Sequence, residues 1–128
     1  MLTDMTRANM NVAILGASNK PDRYSHQALI LLLEKGHRPY LVHPFLTEIE
    51  GFPVYLSLRM IPYPIDTVTV CLSAQDQRAV AEDILQSKCR RIIFNPGAEN
   101  PGLVEQLKKQ GKNALEACTL VMLKTGQF

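Results

Sequence analysis

The sequence predicts an α/β fold, an open parallel sheet of about five strands with helices on both faces. Short apolar runs, which strands covered on both faces require, recur at Val12–Leu15, Thr67–Leu72 and Arg91–Phe94. The stretches between them place apolar residues at helical spacing and are bounded by capping residues or glycine. The 128 residues, 46% hydrophobic and 20% charged, suffice for one core of ordinary size and require no second.

Residues 1–10 lack the apolar stretch of a secretory signal and read as a flexible leader before a single domain at 11–128. Val12–Leu15 is the first strand, and it ends at Gly16, a residue that lets backbone approach a ligand closely. A polar loop, Gly16–Ser25, then opens into a helix capped by Ser25 and ending at Lys35, with Gly36 as its C-cap glycine. Pro39–Val42 forms the second strand, with Pro39 tolerated only at its start, and His43-Pro44 ends it. Residues 45–66, which hold Pro53, Pro62 and Pro64, read as irregular connection with a short edge strand near Phe52–Tyr55 and a helical turn at Ser57–Met60.

Thr67–Leu72 is rich in β-branched residues and gives the third strand. Ser73-Ala-Gln-Asp76 has capping-box spacing, and Val80, Ala81, Ile84 and Leu85 pair at i,i+4 along a helix ending near Lys88. Arg91–Phe94 is the fourth strand, broken by Asn95-Pro96-Gly97. Asn100-Pro101 matches a cap followed by proline at the first helical position, Leu103, Val104 and Leu107 form a stripe, and Gly111 follows the end. Asn113–Glu116 gives a fifth strand, and Thr119–Phe128 supplies a last turn or two of helix. Strands alternating with helices imply right-handed crossovers and a Rossmann-like sheet.

A net charge of +2, with Arg90-Arg91 and Lys108-Lys109 the only adjacent basic pairs, argues against nucleic acid or an anionic membrane surface as partner. The longest apolar run, Ala28–Leu33, falls far short of the roughly 20 residues that span a bilayer, so a soluble protein is expected. Cys71, Cys89 and Cys118 are odd in number and lack CxxC spacing, which suits free thiols in a reducing cytoplasm and gives no metal-site pattern.

Ligands of open parallel sheets sit beyond the carboxyl ends of the strands, where four loops converge here: Gly16–Ser25, His43–Leu46, Ser73–Asp76 and Asn95–Asn100. The first loop is no GxGxxG fingerprint, since Ala17, Ser18, Asn19 and Lys20 follow Gly16. The second strand ends in His43-Pro44 rather than the acidic residue a ribose would want, so NAD binding loses both usual supports. No GxxxxGK[ST] is present either. What remains is a loop whose amides, together with Ser18, Lys20, Arg23 and Ser25, suit a diphosphate. The competing reading is a polar surface turn.

Other groups admit two readings each. His26, in the first turn of the first helix, can touch phosphate or sit at the edge of the core, while His37 complements the dipole at that helix's end. Asn95 suits a turn and Asn100 a cap. Glu99 and Glu116 are the acidic side chains expected near strand ends.

The segment GASNKPDRYSHQA, the later VHP, and IIFNPGAENPGL followed by EACTLVMLKTGQF resemble the small stand-alone coenzyme A-binding proteins, whose fold is similar to the N-terminal domain of the succinyl-CoA synthetase alpha subunit. The resemblance spans Asn11–Phe128 and implies coenzyme A (CoA) or an acyl-CoA as ligand. It implies that Gly16, Ala17, Ser18 and Arg23 hold the diphosphate, that His43-Pro44 borders the nucleotide end, and that Leu72-Ser73 lies along the nucleotide or pantetheine. The pantetheine end, with Asn95, Pro96, Gly97 and Cys118, departs from many relatives, which carry an apolar, glutamine-containing segment and an Asp-Arg-Cys at these places. Cys118 either faces the pantetheine thiol, where a mixed disulfide with CoA can form, or is a buried small side chain.

The function expected is binding of CoA or acyl-CoA without intrinsic catalysis, since no phosphohistidine loop of the synthetase type is recognisable. The alternatives are a nucleotide-cofactor-dependent oxidoreductase or transferase using Cys118 or His26, and an interaction module that has lost its ligand. Self-association into a homo-oligomer, through the last helix or the Phe52–Tyr55 edge, stays open.

Overall fold

Strand β1, Asn11–Leu15, lies at the centre of a seven-stranded sheet in a computed structural model that describes residues 9–128. The other strands are β2 (Arg38–Val42), β3 (Glu48–Ile49), β4 (Phe52–Tyr55), β5 (Thr67–Val70), β6 (Arg91–Phe94) and β7 (Asn113–Glu116), in spatial order β3-β4-β2-β1-β5-β6-β7. All neighbours run parallel except β3 and β4. The helices are α1 (Tyr24–Glu34), α2 (Ala81–Gln86), α3 (Pro101–Lys109) and α4 (Thr119–Lys124), with short 3-10 turns at Leu58–Met60 and Asp76–Ala79. Most of the leader expected over residues 1–10 lies outside the described residues. Its last residues are already held, because the Met10 amide donates to His37 Nδ1 and its carbonyl accepts from the Arg38 amide.

The sheet exceeds the expected five strands because the proline-containing connection after β2 adds two. Phe52–Tyr55 pairs with β2, and Glu48–Ile49 folds back on it through Glu50 and Gly51, both at positive φ (51° and 80°) as a tight two-residue hairpin turn requires. The first helix starts at Tyr24 rather than at a Ser25 cap. Arg23 holds the extended N-cap position and Ser25 is buried in the first turn. At the other end Gly36, at φ 84°, sends its amide to Leu33 and the next amide, His37, to Leu32, closing the last turn. Ser73 Oγ accepts from the Asp76 amide, yet the chain then makes a 3-10 turn before the six residues of α2.

Alternation along β1 sends Val12 and Ile14 to one face and Ala13 and Leu15 to the other, all fully buried. Val12 and Ile14 pack with Leu29 and Leu32 of α1 and Leu123 of α4. Ala13 and Leu15 pack with Ile84 of α2 and Leu103 and Leu107 of α3. With both faces covered, backbone is open to a ligand only where strands end in loops.

Asp66 ties the opposite, amino-terminal end of the sheet together. Its carboxylate accepts from Arg90 through two nitrogens (3.0 and 3.1 Å) and from the Thr67 hydroxyl (2.6 Å). Partial burial opposes the charge, but Arg90, Thr67 and Arg91 outweigh it and hold the group below the usual carboxylate range. A carboxylate depressed in the folded state contributes stability that is present above its unfolded pKa and lost as pH falls through the folded one. The expected outcome is that Asp66→Asn lowers the thermal midpoint at neutral pH and flattens its decline on acidification, as differential scanning calorimetry across pH 2–6 will read.

Candidate functional site

A cleft of about 930 Å³ opens over the carboxyl ends of the central strands. Gly16, Ala17, Ser18, Lys20, Arg23 and Ser25 form one wall, and His43, Pro44, Leu72 and Ser73 meet them from the loops after β2 and β5. Leu46, Leu56 and Val80 add apolar surface, and Asp76 and Asp83 complete the opposite wall. Asn95, Pro96, Gly97 and Cys118, singled out from the sequence for the pantetheine end, are not among its lining residues.

Gly16 is required twice over. Its φ of 88° is a left-handed conformation, and an added Cβ would stand 2.9 Å from Leu72 Cδ2 and 3.1 Å from the Cys71 carbonyl. The chain therefore turns sharply away from β1 with the Leu72 side chain seated on the glycine. The sequence leads one to expect free amides directly after Gly16, and the first of them is not free: the Ala17 N–H donates to the Val42 carbonyl (3.2 Å), since the loop first continues the β1–β2 pairing. The Lys20 amide is likewise held, by Ser18 Oγ at 3.1 Å. The amides of Ser18, Asn19, Tyr24 and Ser25 have no acceptor among the described residues. Tyr24 and Ser25 begin α1, whose N-cap makes no side-chain hydrogen bond. Two loop amides, two helix-start amides and the cations of Lys20 and Arg23 thus share one rim of the cleft, the chemistry an anion calls for.

Across the cleft, His43 Nδ1 accepts from the amides of Phe45 and Leu46, both at 3.0 Å. Two donors on Nδ1 leave the ring hydrogen on Nε2, a donor available to a ligand. Leu72 is fixed by Gln77, fully buried, whose Nε2 donates to the carbonyls of Leu72 (2.8 Å) and Ala98 (2.7 Å) while its Oε1 accepts from Asn100 Nδ2. Asn100 also caps α3 through Leu103. Nothing in the sequence marked Gln77, because its role depends on two carbonyls 5 and 21 residues away.

Asn95 is buried behind the site. Its Nδ2 donates to the Val70 carbonyl (2.8 Å) and to Thr69 Oγ1 (2.7 Å), and its Oδ1 accepts from the Thr119 amide (2.9 Å). A carbonyl on one side and an N–H on the other fix the amide in one orientation. Tyr24, whose ring lines the cleft, must then donate its hydroxyl hydrogen to Asn95 Oδ1 (2.8 Å), leaving lone pairs for the Leu120 N–H (3.2 Å) and the Cys118 thiol (3.0 Å). Cys118 and Asn95 therefore sit one contact behind the cleft wall, joined to it through Tyr24.

The thiols differ sharply. Burial pushes Cys71 up to about 12 and also raises Cys89. At Cys118 burial again opposes ionisation, but a Tyr24 hydroxyl turned from Asn95 to the thiolate, the Val121 and Leu120 amides and Lys124 outweigh it and lower the group below the usual thiol range. Burial and the Cys118 contact raise Tyr24. The remaining candidates serve structure. His26, buried, binds Glu50 of the β3–β4 turn at 2.8 Å, and Glu99 accepts from the Gly97 amide at 3.0 Å. Among the described residues no group of three or more His, Cys, Asp or Glu side chains can hold a metal ion, and no helix is long and apolar enough to cross a membrane.

Known proteins share this architecture. A family model described as a CoA binding domain matches residues 10–124. The crystal structure of an uncharacterized protein superposes with a TM-score of 0.88 at 36% identity, over 95% of this chain and all of that one. The uncharacterized protein YneT of Bacillus subtilis is 26% identical over 114 residues, 89% of this chain and 84% of its own. At 21% identity and a TM-score of 0.73, acetyl-coenzyme A synthetase 1 of Candidatus Korarchaeum cryptofilum shares the fold over 89% of this chain, which spans 27% of that protein.

Gly16→Ala is expected to cost about 2 kcal/mol of stability, the scale of a strained left-handed residue, read as a lower urea midpoint at unchanged slope. Asn95→Ala, which strips partners from buried groups on β5, α1 and α4, is expected to cost about 3 kcal/mol in the same titration.

Proposed function

Since the chain belongs to the CoA binding domain family, we propose that the cleft binds CoA or an acyl-CoA and performs no chemistry of its own. The observation that carries this reading is the rim of unsatisfied amides at Ser18, Asn19, Tyr24 and Ser25 beside Lys20 and Arg23, a set that matches a diphosphate in charge and in donor number. Leu46, Leu56 and Val80 offer the apolar surface a purine needs, and His43 Nε2–H and Ser73 supply directional polar groups beside it. The pantetheine arm runs toward the Tyr24 end, where Asn95-Pro96-Gly97 and Cys118 stand behind the wall.

Two observations favour binding over catalysis. His26 is committed to Glu50, and Cys118 faces Tyr24 with no imidazole or carboxylate in hydrogen-bond contact. Calorimetric titration with CoA, NAD and ATP tests the reading: CoA binds and NAD does not, whereas binding of NAD without CoA overturns it. Arg23→Ala is expected to weaken CoA by about 1.5–3 kcal/mol, the range for a hydrogen bond to a charged group.

A further inference from the structure

The charges of the cleft are sorted by wall. Both lining cations, Lys20 and Arg23, belong to the β1–α1 loop, and both lining anions, Asp76 and Asp83, to the segment after β5. The loops after β2 and β5 bring His43-Pro44 and Leu72-Ser73 to the cleft, with no lysine or arginine among them. Arg59, the cation that follows β4, is held by Asp83, with Nε at 2.9 Å and Nη2 at 2.7 Å from one carboxylate oxygen. The Asp76 side chain has no partner among the described residues, so its charge faces the cleft uncompensated.

A diphosphate brings about two negative charges, which Lys20, Arg23 and the start of α1 can balance. A phosphate monoester on the ribose adds nearly two more. Beyond the loop such a group meets neutral donors at His43 and Ser73, carboxylates, and an arginine already spent on one of them, but no further lining lysine or arginine to balance its charge. A ribose with free hydroxyls meets instead what it needs, acceptors for its O–H donors, the same complementarity by which an acidic residue selects an unphosphorylated ribose in dinucleotide sites.

Resting on the reading that this cleft takes a CoA-type nucleotide, we infer that it selects the ligand by its ribose and prefers 3′-dephospho forms, adenosine diphosphate–pantetheine with a free 3′-hydroxyl, over 3′-phosphorylated CoA. The effective discriminator is Asp76, with Asp83 and Arg59 neutralising one another.

Calorimetric titration of the unaltered protein with dephospho-CoA and with CoA, at low ionic strength, tests this. Dephospho-CoA is expected to bind about tenfold more tightly, and the gap to narrow in higher salt as the repulsion is screened. Asp76→Asn is expected to shrink the preference by strengthening CoA alone; its surface position makes loss of folding no obstacle, and a matching thermal midpoint confirms that. Equal or tighter binding of CoA by the unaltered protein overturns the inference and leaves the CoA reading standing. Binding of neither overturns both.

Discussion

The side-chain amide of Asn95 is the interaction on which the placement of the site rests. It is almost fully buried, and its two ends meet groups that cannot exchange roles, the Val70 carbonyl and the Thr119 amide. That forces Tyr24 to donate to it, and Tyr24 is the first residue of α1. One oriented amide thus sets where the first helix begins relative to β5, β6 and α4. The same amide also donates to Thr69, whose hydroxyl shares a buried hydrogen bond with that of Thr119. Asn95, Thr69 and Thr119 are buried, where a mismatched donor or acceptor is costly, so the Asn95 amide keeps one orientation.

A second, separate network positions the facing wall. Gln77 holds the Leu72 carbonyl, and the Leu72 side chain sits against Gly16. The glycine that turns the chain out of β1 and the loop that leaves β5 are therefore packed directly on each other. The cleft lies between two independently braced edges, one oriented by Asn95 through Tyr24 and the other by Gln77 through Leu72.

Much of this was legible in the sequence for a local reason. Val12–Leu15, Arg91–Phe94 and the Asn100-Pro101 cap involve residues that are neighbours in the chain, so period, propensity and capping chemistry identify them directly. That Gly16, Lys20 and Arg23 line the cleft was legible as well, because all three lie in the loop that leaves the first strand. The β3–β4 hairpin was half hidden, because Glu50 occupies a left-handed position that glycine or asparagine usually marks. Capping chemistry misplaces the start of α1 by two residues, because Ser25 has the chemistry of a cap but is buried in the first turn of the helix. The family resemblance implies Cys118 and Asn95 as ligand contacts at the pantetheine end; in the structure both contact Tyr24 and neither lines the cleft.

By itself, then, the sequence determined the layered α/β architecture, the end of the sheet where loops converge on a cleft and the polar, cationic character of the first loop. Those properties come from hydrophobic period and from side-chain types carried within a few residues of one another. Only the tertiary structure decided which amides are free, which residues line the cleft and which charges oppose one another across it. Val42 takes the Ala17 amide, Gln77 and Asn95 act across 21 to 25 positions of chain, and Asp83 meets Arg59 from a different element. Long-range hydrogen bonds and ion pairs leave no local pattern, because they are fixed by how strands are ordered in space and not by their order along the chain.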